Sequence, residues 1–275
     1  MKDFFKKQGI EFYSLIPLSR CKVIKSYLLE KSFFSESDNA ILFLIPYRSE
    51  KRPVNLTVYA SVLDYHAYVE RLSSELYEYV KDRYPSGRFK VFADHSPIDE
   101  VHASCISGLG FIGDNGLLIN EKYSSFVFLA ECVTNLTDKD LGMEYAKEAT
   151  VKECLHCGAC HIACPSNCIG ENGKPKSECL SAITQKKGAL SDSEIKLMLD
   201  NGSIWGCDVC QNVCPYTKKA SYTPIEYFQN DVITLLDRNA LDSLSDEEFK
   251  KRPFAWRGKE VISRNVDFYE RKRND

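Results

Sequence analysis

Seven of the chain's twelve cysteines stand in two short runs, and no other feature constrains the fold so tightly. The first run is Cys154-x2-Cys157-x2-Cys160-x3-Cys164-Pro165; the second is Cys207-x2-Cys210-x3-Cys214-Pro215. A cubane iron–sulfur cluster needs four thiolates converging on one cage. Two-residue spacings turn successive sulfurs inward from a single tight loop, while the longer step to Cys164 turns that sulfur toward a second cage. The proline after it stops the chain from continuing as regular helix. Two cages need eight thiolates and the runs supply seven. Cys179, in Ser177-Glu-Cys-Leu180 between them, is the candidate for the eighth, and Cys168 competes with it. Crossed sharing then assigns Cys154, Cys157, Cys160 and Cys214 to one cluster, and Cys164, Cys179, Cys207 and Cys210 to the other. Paired CxxC motifs also bind zinc. A third cysteine two residues on and two Cys-Pro endings favour iron–sulfur, so the chain is expected to move electrons.

A length of 275 residues allows one large domain or two ordinary ones, and a hydrophobic content of 44% supports a substantial core. The net charge of −3 argues against both a nucleic-acid coat protein and an acidic solvating chain. Residues 250–275 depart from it, with nine Lys or Arg against four Asp or Glu. That segment is read as a solvated face, with a phosphate-contacting patch as the alternative. The opening residues lack a secretory signal, and the apolar run Ala40–Pro46 is far too short to span a bilayer. CxxC spacing within the two runs and the lack of an export signal point to the cytoplasm rather than to secreted disulfides.

Along the chain, helix is expected over Tyr13–Lys31, then a short buried strand at Asn39–Tyr47. Apolar residues at helical spacing (Val62, Tyr65, Val69, Leu72, Leu76, Tyr79, Val80) predict one long amphipathic helix over Tyr59–Tyr84, ended by Pro85-Ser-Gly87. Phe89–Ala93 reads as a strand. Ser96 as N-cap, Pro97 at the first helical position and Asp99 and Glu100 in the first turn predict a helix ending at Gly108. Strands are expected at Leu117–Ile119 and Phe126–Val133, and Glu144–Thr150 leads into the cysteine region. Ser191 with Glu194 forms a capping box for a helix through Asp200. Ser245–Lys251 reads as a further short helix. The expected fold class is α+β. An α/β domain over 1–150 precedes a ferredoxin-like module over 151–220, held by its metal–sulfur bonds, and a basic helical tail over 221–275.

Gly108-Leu-Gly-Phe-Ile-Gly113 matches a dinucleotide-binding fingerprint, but it follows a helix and leads into a strand, the reverse of what that motif needs. It is read as a helix C-cap and turn whose backbone can approach a cofactor closely. Asp94 ends the strand Phe89–Ala93, where a carboxylate is either a cap or an acid. His66, His95 and His102 lie on or beside helices and are read as structural. His156 and His161 flank cluster cysteines and are positioned to tune them. Cys105 and Cys132 sit in apolar surroundings as small core residues. Cys21, between Arg20 and Lys22, is a candidate reactive thiol.

Several segments together resemble the epoxyqueuosine reductase family. They are Asp64-Tyr-His66, Phe92-Ala-Asp-His-Ser-Pro97, Gly108–Gly113, Leu117-Leu-Ile-Asn120, Gly206-Cys-Asp-Val-Cys-Gln-Asn-Val-Cys-Pro215, Arg257-Gly258 and Arg264-Asn-Val266. The match runs over most of 55–266, in order. The resemblance implies an oxidoreductase of queuosine biosynthesis and tRNA processing. It would be cobalamin-dependent with two [4Fe-4S] clusters, related to reductive dehalogenases, and would reduce the epoxide of epoxyqueuosine in tRNA. It implies Asp94 as proton donor, agrees with the crossed cysteine assignment, and sets Gly108, Gly110, Gly113 and Leu118 against the corrinoid, which the family binds without a histidine beneath the cobalt. Implied partners are the tRNA substrate and a low-potential electron donor, with no membrane, for a monomeric protein. Three departures stand out. Asp114 replaces the family's lysine, the first 50 residues diverge, and the C-terminal helical-repeat region that contributes to tRNA binding is absent, which makes this a short form. The basic stretch Lys250-Lys-Arg252 is the expected substitute for that tRNA contact. The alternatives are a related corrinoid and iron–sulfur reductase on another substrate, or an electron carrier that lacks the corrinoid.

Overall fold

A computed structural model of the chain describes residues 1–147 and 153–274. Backbone contacts gather these into two units, one of residues 1–46 and 65–155, the other of 47–64 and 156 onward. Both differ from the three stretches expected above. Residues 47–64 belong with the cysteine-bearing unit, and 221–275 shares that unit's core.

The first unit is built on a four-stranded sheet. Its strands are β1 (Tyr13–Pro17), β2 (Asn39–Pro46), β3 (Phe89–Phe92) and β6 (Val127–Thr134), in the order β1-β2-β6-β3 and antiparallel throughout. β2 is buried at every position, as its unbroken apolar run requires of a central strand covered on both faces. β1 corrects the helix expected over Tyr13–Lys31. Leu15 and Ile16 are fully buried at the sheet edge against Ile41 and Ala40, and helix begins only at Ser26. Burial in a sheet here overrides a weak local preference.

The helix expected over Tyr59–Tyr84 is two, Val58–Ser61 and Tyr65–Val80. Val62 is extended between them (φ −96°, ψ 179°), and the break falls where the chain passes from one unit to the other. The second helix buries Val69, Leu72, Leu76 and Val80 of the expected stripe, with Tyr68 buried in addition and Tyr65 and Tyr79 half-buried. The helix after β3 runs Glu100–Ile106, and its cap is Asp99, which accepts from the His102 N–H at 3.1 Å. Ser96, expected as the cap, is turned into the core instead. A two-stranded hairpin, β4 (Phe111–Ile112) and β5 (Leu118–Ile119), follows that helix.

In the second unit, Leu56, Trp205, Phe254, Ile262 and Val266 form one core. Leu180, Ile183, Leu190 and Met198 form another. Asn265 is wholly buried, and its amide donates to the carbonyls of Thr184 (2.7 Å) and Ile204 (2.8 Å), tying three segments together. The capping boxes at Ser191–Glu194 and Ser245–Glu248 form as expected. Arg252, expected on a tRNA-facing surface, is 2% exposed and donates to the Asp231 carboxylate at 2.5 Å and to its carbonyl at 2.7 Å. It is a structural residue, which leaves Lys250 and Lys251 exposed in that stretch. The last residues of the expected lead-in Glu144–Thr150 lie outside the described residues. Among the described residues, no helix is long and apolar enough to cross a membrane.

Candidate functional site: cysteine loops and an acid-lined cavity

The cysteine runs fold as short turns and single helical turns. Gly158, at φ +70°, precedes the helix Ala159–Ala163 that carries Cys160. Cys210 lies on the helix Val209–Asn212, which packs against it. Cys164 Sγ accepts a hydrogen bond from the Cys168 N–H at 3.3 Å, the contact a ligating thiolate sulfur receives. Burial pushes the Cys207 thiol up to about 11, helped by the neighbouring charges of Cys179, Asp208 and Cys164. Cys210 is pushed up to about 12 by burial, then by Cys207, Cys179, Asp208 and Cys164. Cys164, Cys179 and Cys207 thus all act on the Cys210 thiol. Thiolates held near one another and away from water repel, and a bound cationic iron cage would remove that penalty.

Cys168 lies beside the same group, its thiol directed at the Pro175 carbonyl (3.5 Å) and raised by burial and by Cys179 and Cys164. Cys154, Cys157 and Cys160 follow one another on the first loop, Cys154 at the end of the first unit and the others in the second, where Cys214 closes the second run. Cys132 is buried in β6 and Cys105 is half-buried, both in apolar packing as expected. Cys21 is not activated. Burial first, and Glu131 second, push its thiol up to about 12.

Two contacts fix the second loop in place. Asp208 accepts from the Val58 N–H (2.7 Å) and the Gln211 amide (2.8 Å), and burial pushes its carboxyl up to about 6. Gly206, at φ +76°, donates its N–H to Thr184 Oγ1 at 2.8 Å and lies so close to Thr57 that a Cβ would stand 2.4 Å from its methyl carbon.

Asp94 occupies the tip of a three-residue turn closed by the His95 N–H on the Ala93 carbonyl at 2.6 Å, with φ at +62°. A γ-turn of this hand is rare for a side-chain-bearing residue and stores strain. The turn presents the carboxylate at the surface, 72% exposed, with His66 Nε2 at 3.8 Å from Oδ2. The His66 contact, then the charges of Lys25 and His95, hold the carboxyl below its ordinary range against the opposing effect of burial. His66, read as structural from sequence, is thus a partner of the candidate acid. Tyr65 beside it stacks on Phe128 at 4.1 Å and 15°.

Behind Asp94 opens a cavity of about 230 Å³, walled by Leu117, Leu118, Val127, Phe128 and Leu129 and carrying Tyr65 and Glu100. Leu118 lines this cavity. The three glycines have local reasons. Gly108 turns the chain at φ +79°, a Cβ at Gly110 would meet the Ile119 carbonyl at 2.5 Å, and one at Gly113 would meet Asn115 Oδ1 at 2.7 Å.

Sequence reasoning missed the acid pair under this cavity. Glu131 is fully buried in β6, where Ser96 Oγ donates to its Oε1 at 2.5 Å. Its Oε2 has no hydrogen-bond donor among the described residues. Glu100 faces it and accepts from the Asp94 N–H at 3.2 Å. Burial pushes Glu100 up to about 7, and pushes Glu131 well above the carboxylate range. The available signal was a charge in the middle of an apolar strand, Phe126–Val133.

The fold and the cysteine loops define an iron–sulfur protein, and residues 153–217 match the model of the 4Fe-4S double cluster binding domain. The chain is 32% identical over 222 residues to the epoxyqueuosine reductase of Lactococcus garvieae, covering 77% of this chain and 60% of that one. It is 28% identical over 261 residues to that of Listeria monocytogenes, covering 89% and 66%. It belongs to the epoxyqueuosine reductase family. The solved epoxyqueuosine reductase of Streptococcus thermophilus has the same fold, with a TM-score of 0.79 at 24% identity over all of this chain and 80% of that one. A second solved epoxyqueuosine reductase, determined with an epoxyqueuosine-modified tRNA-Tyr stem loop, gives 0.75 at 22%, over 98% and 79%. The chain spans between half and two thirds of the length of the first four curated relatives.

Proposed function

We propose that this protein is a cobalamin-dependent iron–sulfur reductase that converts epoxyqueuosine to queuosine in tRNA. It would act as a monomer in the cytoplasm with a low-potential electron donor. The observation that carries the reading is an aspartate strained outward at the mouth of an apolar cavity, in a chain that also carries a double-cluster cysteine set. Family membership and the likeness to a reductase solved with a modified tRNA stem loop support it.

Cys154, Cys157, Cys160 and Cys214 would hold one cluster; Cys164, Cys179, Cys207 and Cys210 would hold the other. The donor chemistry fits, because eight soft thiolates suit iron–sulfur cages. For cobalamin the fit is the apolar wall around Leu118. The cavity itself is smaller than the roughly 300–1,000 Å³ of pockets that enclose whole ligands, so it would take the epoxide-bearing ring rather than enclose a corrinoid. Bound clusters and corrinoid supply the low-potential electrons the reaction needs.

The chain's own residues supply the rest. The apolar walls exclude water, Tyr65 stacked on Phe128 stiffens the rim, and Asp94 gives its proton to the oxygen as the C–O bond opens. An alkoxide is a poor leaving group, so a placed acid is worth about 10²–10⁴ in rate. His66 orients the Asp94 carboxylate. The test is an anaerobic assay of the protein with cobalamin, a low-potential reductant and tRNA bearing epoxyqueuosine. Queuosine should form with cobalamin and not without it. Cobalamin binding without conversion overturns the substrate, and clusters without cobalamin affinity leave an electron carrier.

A further inference from the structure

Replacing an epoxide by an alkene consumes two electrons and two protons. One proton quenches the oxygen as the first C–O bond breaks; the second lets that oxygen leave as water when the other C–O bond breaks and the double bond forms. Asp94 carries one proton at a time, and its surroundings favour the ionised form. Asp94 must therefore be reprotonated between the two steps, and Glu100 lines the same cavity.

We propose that Glu100 and Glu131 hold one proton between them and that Glu100 passes it to Asp94, so that both protons reach the substrate through one carboxyl. The inference rests on the reductase reading given above. Its footing is geometric. Glu100 lines the cavity with Asp94, and its Oε1 accepts from the Asp94 N–H at 3.2 Å. Glu131 lies beneath, fully buried, its Oε1 taken by Ser96 at 2.5 Å. Its Oε2 meets no donor, a position that a carboxyl proton shared with Glu100 satisfies. Two carboxylates cannot both stay ionised in such a place, so one proton is retained near neutrality.

The charged and titratable groups around the relay are few. Glu100, in the first turn of the helix Glu100–Ile106, is faced by Asp94 and Lys25 and by Glu131 from β6. Glu131 is faced by Glu100 and Ser96, with the Cys21 and Cys132 thiols beside it. Asp94 is faced by His66, Lys25 and His95. Tyr65 also lines the cavity.

The transfer balances. Asp94 gives its proton to the oxygen and becomes carboxylate. Glu100 transfers the shared proton to it and the pair is left doubly ionised. Asp94 then gives the second proton, the oxygen leaves as water, and Asp94 and the pair each take one proton back from solvent between turnovers. The electrons come from the low-potential donor through the clusters.

Two readouts test this. At neutral pH, infrared spectra of the anaerobic protein should show a protonated-carboxyl band that shifts or vanishes in Glu100→Gln and in Glu131→Gln. Its absence from the wild type overturns the shared proton whether or not the protein turns over epoxyqueuosine tRNA. In turnover, wild-type kcat should fall as pH rises through about 7. Glu100→Gln should lose at least tenfold at acid pH and lack that descending limb, with iron and cobalamin content unchanged. Glu131→Gln, which donates to Glu100 instead of sharing a proton, should move the limb to lower pH. Both variants keeping the wild-type limb would overturn the delivery step. A wild type that does not convert epoxyqueuosine removes the reductase reading, and the delivery step with it, while the infrared band still decides whether the pair shares a proton.

Discussion

Asp94 and Glu131 are two acids of one site in opposite surroundings. One is pushed out on a strained turn beside His66, which holds its carboxyl below the ordinary range. The other is sealed in a strand, where burial pushes its carboxyl well above that range. Asp94→Asn keeps the turn, which asparagine tolerates, and removes the transferable proton. Turnover should fall about 10²–10⁴-fold with both clusters and cobalamin retained; near-wild-type turnover would end its role as donor. Glu131 gives a stability prediction whose sign follows from its raised folded-state pKa. The native protein keeps a proton that the unfolded chain loses near 4.5, so this contribution is full below that pH and is lost as pH rises through the folded value. Glu131→Gln should therefore flatten the decline of thermal stability toward alkaline pH, and a variant declining as steeply as wild type would contradict it. Asp94 was singled out by the family resemblance of Phe92–Pro97; a carboxylate at a strand end is by itself equally well a cap or turn residue. Glu131 was not, because β-strand periodicity says which way a side chain points and not that a buried acid has a partner from another element.

At the level of elements, the cysteine loops depend on supports that carry no sulfur. Gly206 adopts a left-handed conformation against Thr57, so Gly206→Ala combines backbone strain with a methyl clash. It should cost more than about 2 kcal/mol in denaturation of the anaerobic protein. Asp231→Ala strips the buried Arg252 guanidinium of its charged partner and leaves it the Asp231 carbonyl, at a cost of about 2 kcal/mol. A change under about 0.5 kcal/mol in either would show that these contacts do not hold the unit together. Capping boxes and the β2 run were readable because each is a local pattern with one physical solution. β1 was misread because its pairing with β2 is non-local, and the break at Val62 because the stripe of apolar residues continues across it. Arg252 was misread for a related reason: a charge in a basic stretch gives no sign that the chain will fold over it.

At the scale of the whole molecule, the proposed reductase depends on two iron–sulfur clusters to supply its electrons. The ligand spacing was the strongest signal in the sequence, since tight Cys-x2-Cys loops with Cys-Pro exits serve few metals. What spacing does not convey is the acid arrangement in the other unit, which brings Asp94 and Glu100 together with His66 and Glu131 from segments distant in sequence. If the clusters are absent, the acids have no electrons to accompany. The decisive measurement is metal and sulfide analysis of anaerobically purified protein with its visible and paramagnetic resonance spectra. The account predicts eight irons per chain, four for each of the two clusters of the matched domain, and no zinc. Zinc in the cysteine loops, or iron far below that count, would contradict it.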